Sequence, residues 1–263
     1  GYRRLMAEIR RYKHGTFCRI ELASSDLEAA KVFYSELFNW KIDAIPLGDA
    51  GESCMMKLGD AEVAALHQQG PERPAPGHWL CSINVDDVDQ AAAAVADAGG
   101  ALLQPPFDVL DAGRMALCRD PSGAVVGLWQ AGRHIGAGRV NEPGAPCWFE
   151  LATRDTAAAA AFFRAVLGWE AKSAPMGGTV YTSFLRGVSP AAGMLEMTDA
   201  WGDIAPHWMV YFQVASCEET AQRAAALGGE VHVPPTEIAG VGRFAVIADP
   251  QGAIFSIMQV DPR

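Results

Sequence analysis

The chain is poor in positive charge. Among 263 residues it has 21 Lys or Arg against 31 Asp or Glu, a formal net charge of −10. Such a surface offers little to offset phosphate, which argues against nucleic acid as a partner and against adhesion to an anionic membrane. Long apolar runs are missing as well. No stretch approaches the roughly 18 residues that span a bilayer. The basic start Gly1-Tyr-Arg-Arg-Leu-Met6 is not followed by the apolar segment of a secretory signal. The six cysteines, at 18, 54, 81, 118, 147 and 217, form no CxxC pair. They read as buried, reduced thiols of a cytoplasmic protein, with neither disulfide staples nor a redox motif. No GxSxG, P-loop or strand-following GxGxxG is found, which removes the commonest hydrolase, nucleotide and dinucleotide signatures. What is present is half apolar and one fifth charged, the composition of a globular chain long enough for one large core or two ordinary ones.

The sequence is a duplication. Shifted by 129 residues, Cys18-Arg-Ile-Glu-Leu-Ala falls on Cys147-Trp-Phe-Glu-Leu-Ala, His78-Trp79 on His207-Trp208, Gly99-Gly100 on Gly228-Gly229, and Asp120-Pro-Ser-Gly-Ala on Asp249-Pro-Gln-Gly-Ala. Stretches 16–40 and 78–130 match their copies at 26 of 78 positions, far beyond chance, so the repeat organises the reading. The expected division is an extension over 1–15, one domain over 16–130, a linker over 131–145 and a second domain over 146–260. The linker holds four glycines and one proline, as an exposed connection should.

Each half divides again. Alternation from Phe17 to Leu22 predicts a strand. A helix follows, opened by a capping box of Ser25 with Glu28, with Leu27, Ala30, Phe33, Tyr34, Leu37 and Phe38 on one face. Asn39 and its copy Gly168 suit the left-handed position that ends it. Shorter strands are expected around 41–46, 53–58 and 61–67. Then come a strand over 78–85, a helix over 87–98, and strands near 101–104, 114–119 and 124–130, the last two joined by the Asp120-Pro-Ser-Gly123 turn. Every quarter reads β-α-β-β-β, so the fold class is α+β.

Ser25-Asp-Leu-Glu-Ala-Ala-Lys-Val-Phe-Tyr-Ser-Glu-Leu-Phe-Asn-Trp40, Val85-Asp-Asp-Val-Asp89 and the two Asp-Pro-x-Gly-Ala hairpins resemble the vicinal oxygen chelate superfamily of glyoxalases, bleomycin-resistance proteins and extradiol dioxygenases. With two double-module halves, the chain is most similar to the tandem glyoxalase-like group of actinobacteria, which includes a mycobacterial antigen and accessory proteins of anthracycline biosynthesis. The resemblance implies four βαβββ modules forming two curved mixed sheets, helices on the outer faces and a ligand in a concave cup.

Strand parity assigns side chains to that cup. The expected set is Phe17, Arg19, Glu21, His78, Leu80, Ser82, Asn84, Val125, Gly127 and Trp129 in the first half. In the second half it is Pro146, Trp148, Glu150, His207, Met209, Tyr211, Gln213, Ile254, Ser256 and Met258. Cys18 and Cys147 fall on the helix side. In metal-bearing relatives, the resemblance places ligands where this chain has Arg19, Leu80 and Gly127, and again Trp148, Met209 and Ser256. None except Ser256 can ligate, and Ser256 is weak, so no metal or other cofactor is expected. Glu62 or Glu196 could fall near a fourth position, but a single carboxylate holds no cation.

Three readings of function stand. The first is a metal-independent protein binding a small hydrophobic or aromatic metabolite, in secondary metabolism or resistance. Trp148, Met209, Tyr211, Ser256, Met258, Arg19, Trp129 and Arg243 are its candidate ligand contacts. The second is a metal-independent enzyme of polyketide-type biosynthesis, hydroxylase-like, cyclase or epoxide-opening, with His207, Glu150, His78 and Glu21 as acid–base groups. A metal-dependent lyase or dioxygenase is the third, disfavoured by the ligand positions. The histidines equally suit strand entries bonded to loop backbone, and the glutamates suit ion pairs with Arg19, Arg114 or Arg243. Two fused double modules can satisfy internally the pairing that single units find by dimerising, so the chain is expected as a monomer or a homodimer. The second half, with its aromatic wall and thioethers, is expected to dominate binding.

Overall fold

The computed structural model describes residues 8–46, 52–72 and 76–262. The first half runs β1 (Thr16–Ser24), α1 (Leu27–Phe38), β2 (Lys41–Pro46), β3 (Glu52–Leu58), β4 (Ala61–Gln68), β5 (His78–Asn84), α2 (Val88–Asp97), β6 (Ala101–Val109), β7 (Gly113–Arg119) and β8 (Val125–Ala131). The second repeats it: β9 (Pro146–Thr153), α3 (Thr156–Leu167), β10 (Glu170–Met176), β11 (Thr179–Arg186), β12 (Ser189–Glu196), β13 (His207–Gln213), α4 (Cys217–Ala226), β14 (Glu230–Ile238), β15 (Gly242–Ala248) and β16 (Ile254–Val260). Two mixed eight-stranded sheets result, ordered β2-β3-β4-β1-β5-β8-β7-β6 and β10-β11-β12-β9-β13-β16-β15-β14. Modules of the same half therefore pair, with β1 antiparallel to β5 and β9 antiparallel to β13 at the centre. Each cup belongs to one half.

The helices start one residue later than the capping box predicts. Asp26, not Ser25, is the N-cap of α1 and accepts from the Ala29 amide, while Ser24 Oγ bonds the Asp26 backbone. A carboxylate at this position also suits the positive end of the helix dipole. Asn39 and Gly168 do take left-handed conformations, with φ of 57° and 74°.

The two halves share one core. The trailing tryptophan of each first helix reaches the segment that leads into the other half: Trp40 Nε1 donates to the Gly144 carbonyl at 2.7 Å and Trp169 Nε1 to the Gly15 carbonyl at 2.8 Å. Phe38 packs on Phe212, and Tyr34 donates to Asp249 Oδ2 at 2.7 Å. The helices thus cover the convex face of their own sheet and also pack at the junction, α1 beside α4 and α2 beside α3.

Strict alternation fails at the entry of each half's first strand. A β-bulge between Phe17 and Arg19 places an extra residue opposite β5, and a second falls at Cys147. Phe17 is consequently turned out of the cup. It stacks on Phe149 with ring centroids 4.3 Å apart and joins the shared core. Cys18 turns inward, into a buried cluster with Tyr12, Met115 and Trp129, the reverse of its predicted side. Its thiol is pushed up to about 12 by burial, which leaves it a poor nucleophile.

Candidate functional site: two cups and a cleft

The first cup is closed by its own chain. Trp129, at the end of β8, is fully buried and donates from Nε1 to the His134 carbonyl at 2.9 Å. The Arg19 guanidinium lies 4.7 Å from the Trp129 ring centroid and pairs with Glu21 at 2.5 Å. Two segments that the sequence presents as connections fold over these groups. From the N-terminal extension, Tyr12 donates its hydroxyl to the Ala137 carbonyl at 2.5 Å, and Ile9 bonds the Gly138 carbonyl at 2.8 Å. From the linker, Ala137 donates to the Cys18 carbonyl and Gly138 to the Glu62 carbonyl, both at 2.7 Å. Gly136, at φ 108°, is needed there, because a Cβ would strike the Cys18 carbonyl. Glu62 lies at this cup, 3.1 Å from His134 Nδ1. A cavity of about 280 Å³ remains, lined by Arg19, Met55, Glu62, Trp129 and His134 among others.

The second cup keeps the carboxylate and changes everything that holds it. Glu150, the copy of Glu21, is buried, and its two oxygens accept from two tyrosines. Tyr181 donates to Oε2 and Tyr211 to Oε1, each at 2.8 Å. Trp148 Nε1 donates in turn to the Tyr181 hydroxyl at 2.9 Å. Tyr181 lies over Gly193, where any Cβ would collide with its hydroxyl. Ser256, fully buried, is the register partner of Tyr211, and Met258 is buried two residues on. Burial pushes the Glu150 carboxyl above the ordinary carboxylate range, with the tyrosine donors opposing the shift. Both tyrosine hydroxyls are pushed up as well, by burial and by the neighbouring carboxylate. Among the described residues the second cup has no counterpart of the buried cluster that fills the first.

A cleft of about 660 Å³ lies between the halves and is lined by residues of both. Its walls are mostly apolar, with Leu80, Leu103 and Val125 from one half facing Ile204, Met209 and Ile254 from the other. Glu21 lines the cleft whereas Arg19 lines the inner cavity, so their ion pair stands between the two spaces. Met209 is the register partner of Glu150, which sets the far wall beside the second cup.

Several expected site residues lie elsewhere. Arg243 faces away from the cup: its register partner Gln259 caps α4, and Arg243 itself pairs with Glu218 in the first turn of that helix at 2.8 Å. Arg114 makes the equivalent pair with Asp89 at 2.9 Å. Neither arginine reaches Glu21 or Glu150. His207 bonds the Ala205 carbonyl through Nδ1 at 2.8 Å, and His78 is exposed at the cleft. Both histidines are strand-entry residues at a rim, and His207 makes no hydrogen bond to Glu150. Glu196 is exposed at the end of β12. Tyr181, Tyr12 and His134 were not anticipated. Tyr181 lies where the copies are offset by 128 rather than 129 residues, its equivalent being Ser53. Tyr12 and His134 lie in segments with no motif.

The chain belongs to the Glyoxalase/Bleomycin resistance protein/Dioxygenase superfamily, whose sequence profile matches residues 16–128 and again 147–257. Among curated proteins it is 43% identical over 256 residues to CFP32 of Mycobacterium tuberculosis, a protein carrying a glyoxylase designation, covering 96% of this chain and 97% of that one. It is 34% identical to the anthracycline biosynthesis protein DnrV of Streptomyces peucetius, over 95% of both chains. The fold is also that of a Mn(II)-bound glyoxalase from Novosphingobium aromaticivorans, with TM-score 0.66 at 17% identity, covering 94% of this chain and 82% of that one. The 2,3-dioxygenase LapB from Pseudomonas sp. KL28 gives TM-score 0.65 at 17% identity, covering 98% and 94%.

The residues present do not fit the divalent cation that the fold family implies. Arg19 is ion-paired, Leu80 and Gly127 offer no donor, and Trp148 and Met209 stand at the copied positions. The carboxylate beside each set is engaged, Glu21 by a guanidinium and Glu150 by two phenols. Among the described residues no three His, Cys, Asp or Glu converge, and no helix is long and apolar enough to cross a membrane.

Proposed function

We propose that this protein binds a small hydrophobic or aromatic metabolite without a metal, in the cleft between the halves and against the second-half wall. The observation that carries the reading is the cleft itself. Its volume of about 660 Å³ lies within the range of small-molecule sites, and its mostly apolar walls carry a few polar groups, Glu21, His78, Gln104 and His207 among them. Similarity to anthracycline biosynthesis proteins supports a place in secondary metabolism and a flat polycyclic ligand. Six cysteines, none of them in a disulfide, support a cytoplasmic location. The core shared between halves supports a monomer, as two fused units already meet through their helices. A thermal-shift screen of aromatic polyketides, with and without divalent metals, tests the proposal. Stabilisation that is metal-indifferent and abolished by Leu80→Trp supports it, while stabilisation only with metal contradicts it.

A second reading is favoured by one observation. The buried carboxylate of Glu150, held between two tyrosines, is suited to acid–base work in a metal-independent enzyme. Formation of product from a ligand found in the screen would select this reading over the binder. Met209→Ala, which shortens the second-half wall of the cleft, is expected to weaken ligand binding by about 1–3 kcal/mol, the scale of one buried side chain, and Arg19→Ala, at the inner cavity, by less.

A further inference from the structure

The hydrogen count of the second cup is informative. With Glu150 ionised, the indole and both phenols have internal acceptors: Trp148 on Tyr181, Tyr181 on Oε2, Tyr211 on Oε1; Ser256 adds a further buried hydroxyl beside Tyr211. Adding one proton to the carboxyl leaves one O–H in excess. Glu150 can then donate back to a tyrosine oxygen, and the tyrosine hydrogen so released must point elsewhere. Tyr211 is buried, whereas Tyr181 is half-buried. A hydrogen released on Tyr211 stays inside, facing Ser256 Oγ, whereas one released on Tyr181 is the one a solute can reach.

Among the described residues no cation pairs with the ionised form. Around Glu150, β11 presents Tyr181, β12 presents Gly193, β13 presents Met209 and Tyr211, β16 presents Ser256, and β9 presents Trp148. The titratable groups facing it are the two phenols, and no ion pair to Glu150 forms among the described residues. His207, two residues from Met209, is bonded to the Ala205 carbonyl. In the first cup, by contrast, Arg19 neutralises Glu21, and the tyrosine positions are Ser53 and Ser82. A tyrosine beside a carboxylic acid held neutral in an apolar site makes a strong donor pair for a negatively charged oxygen.

We propose that the second cup binds the ionised oxygen of a phenol or enol, with Tyr181 as the donor to it and Glu150 taking up the accompanying proton. No covalent bond changes: the carboxylate and one solvent proton become a carboxylic acid as the anion docks, and Trp148 holds Tyr181 in place from its other side. This site is distinct from the cleft, so its failure and the failure of the cleft reading are separable. The ligand class is a planar phenolate or enolate, because an ionised carboxylate would repel such an oxygen and only proton uptake admits it.

The probe is 4-nitrophenol, whose anion and neutral form differ in visible absorbance, titrated against the full chain in weak buffer where the free probe is mainly anionic. The expected result is saturable binding that retains the anion band, with uptake of about one proton per probe bound. Tyr181→Phe should weaken binding about tenfold, the scale of one charge-assisted hydrogen bond. Glu150→Gln should remove the proton uptake, and Leu80→Trp, which fills the cleft, should leave the titration unchanged. The proposal is overturned by absence of saturable binding, by conversion of the bound probe to its neutral form, by binding without proton uptake in the unmodified protein, or by unaltered affinity in Tyr181→Phe. The uptake measurement needs no variant, so misfolding of a variant does not rescue the proposal.

Discussion

Glu21 and Glu150 occupy the same place in the two cups, one strand residue from the sheet centre, yet they are held by opposite chemistry. In the first cup an arginine two residues away on the same strand neutralises the carboxylate and lies over Trp129, and the chain then folds Tyr12 and the segment 134–138 across the opening. In the second cup that arginine has become Trp148, the serine positions have become Tyr181 and Tyr211, and Trp129 has become the slimmer Met258. A duplicated fold can keep its helix-side core and let one cup turn structural while the other is rebuilt around a carboxyl held by phenols. A half-buried ion pair tied to a packed lid rigidifies. A buried carboxyl held only by neutral donors keeps a choice of protonation state.

The largest expected contrast is in stability. Trp129→Ala should cost about 3–5 kcal/mol, since it empties the middle of the closed cup. Trp148→Ala, at a half-buried residue, should cost less than half as much. Denaturant titration of both variants measures the difference, and equal costs would break the comparison. Next comes the lid. Tyr12→Phe deletes only the hydroxyl that reaches the Ala137 carbonyl and should cost about 1 kcal/mol. No change in midpoint would show that the extension does not close the cup.

A smaller effect separates the two glutamates by pH. The folded-state pKa of Glu150 is raised, so its contribution to stability is fully present below the ordinary carboxylate range and is lost as pH rises through the raised value. Asp120 and Asp249 are raised by burial too and give a background in the same direction. Glu150→Gln should therefore stabilise the protein at neutral pH and flatten its decline between mildly acidic and neutral conditions. Stability curves of that variant that parallel the unmodified protein at every pH would contradict this. The smallest effect concerns the outward arginines. Arg114→Ala and Arg243→Ala should each cost little stability, because both arginines make solvent-exposed pairs with a helix's first turn, Arg114 adding a second pair with Asp108. A large loss of ligand affinity in Arg243→Ala alone would return that residue to the site.

Much of the fold could be read from the chain because its signals are local. The repeat, the helix faces, the left-handed Asn39 and Gly168 and the Asp-Pro turns each need only a few neighbouring residues. The cups were half legible. Parity placed Arg19, Glu21, Trp148, Glu150 and Tyr211 on the concave face, but it misplaced Phe17 and Cys18, since a bulge carries no mark in alternation. The first cup's lid was invisible for a different reason. Tyr12, His134 and Gly136 act through contacts made across more than fifty residues of sequence, and a linker rich in glycine reads as slack whether or not it packs. Arg243 was placed from its strand alone, although Glu218, its partner, copies Asp89 just as Arg243 copies Arg114.

The most direct test is hydrogen exchange with and without an aromatic ligand from the thermal-shift screen. The division of labour between the cups predicts new protection in 76–80 and 204–211, which border the cleft and the second cup. The amides of Ile9, Ala137 and Gly138 should be protected equally with and without ligand, because they are bonded already. Ligand-dependent protection confined to 9–12 and 134–138, with 204–211 unchanged, would place the ligand in the first cup and contradict the account.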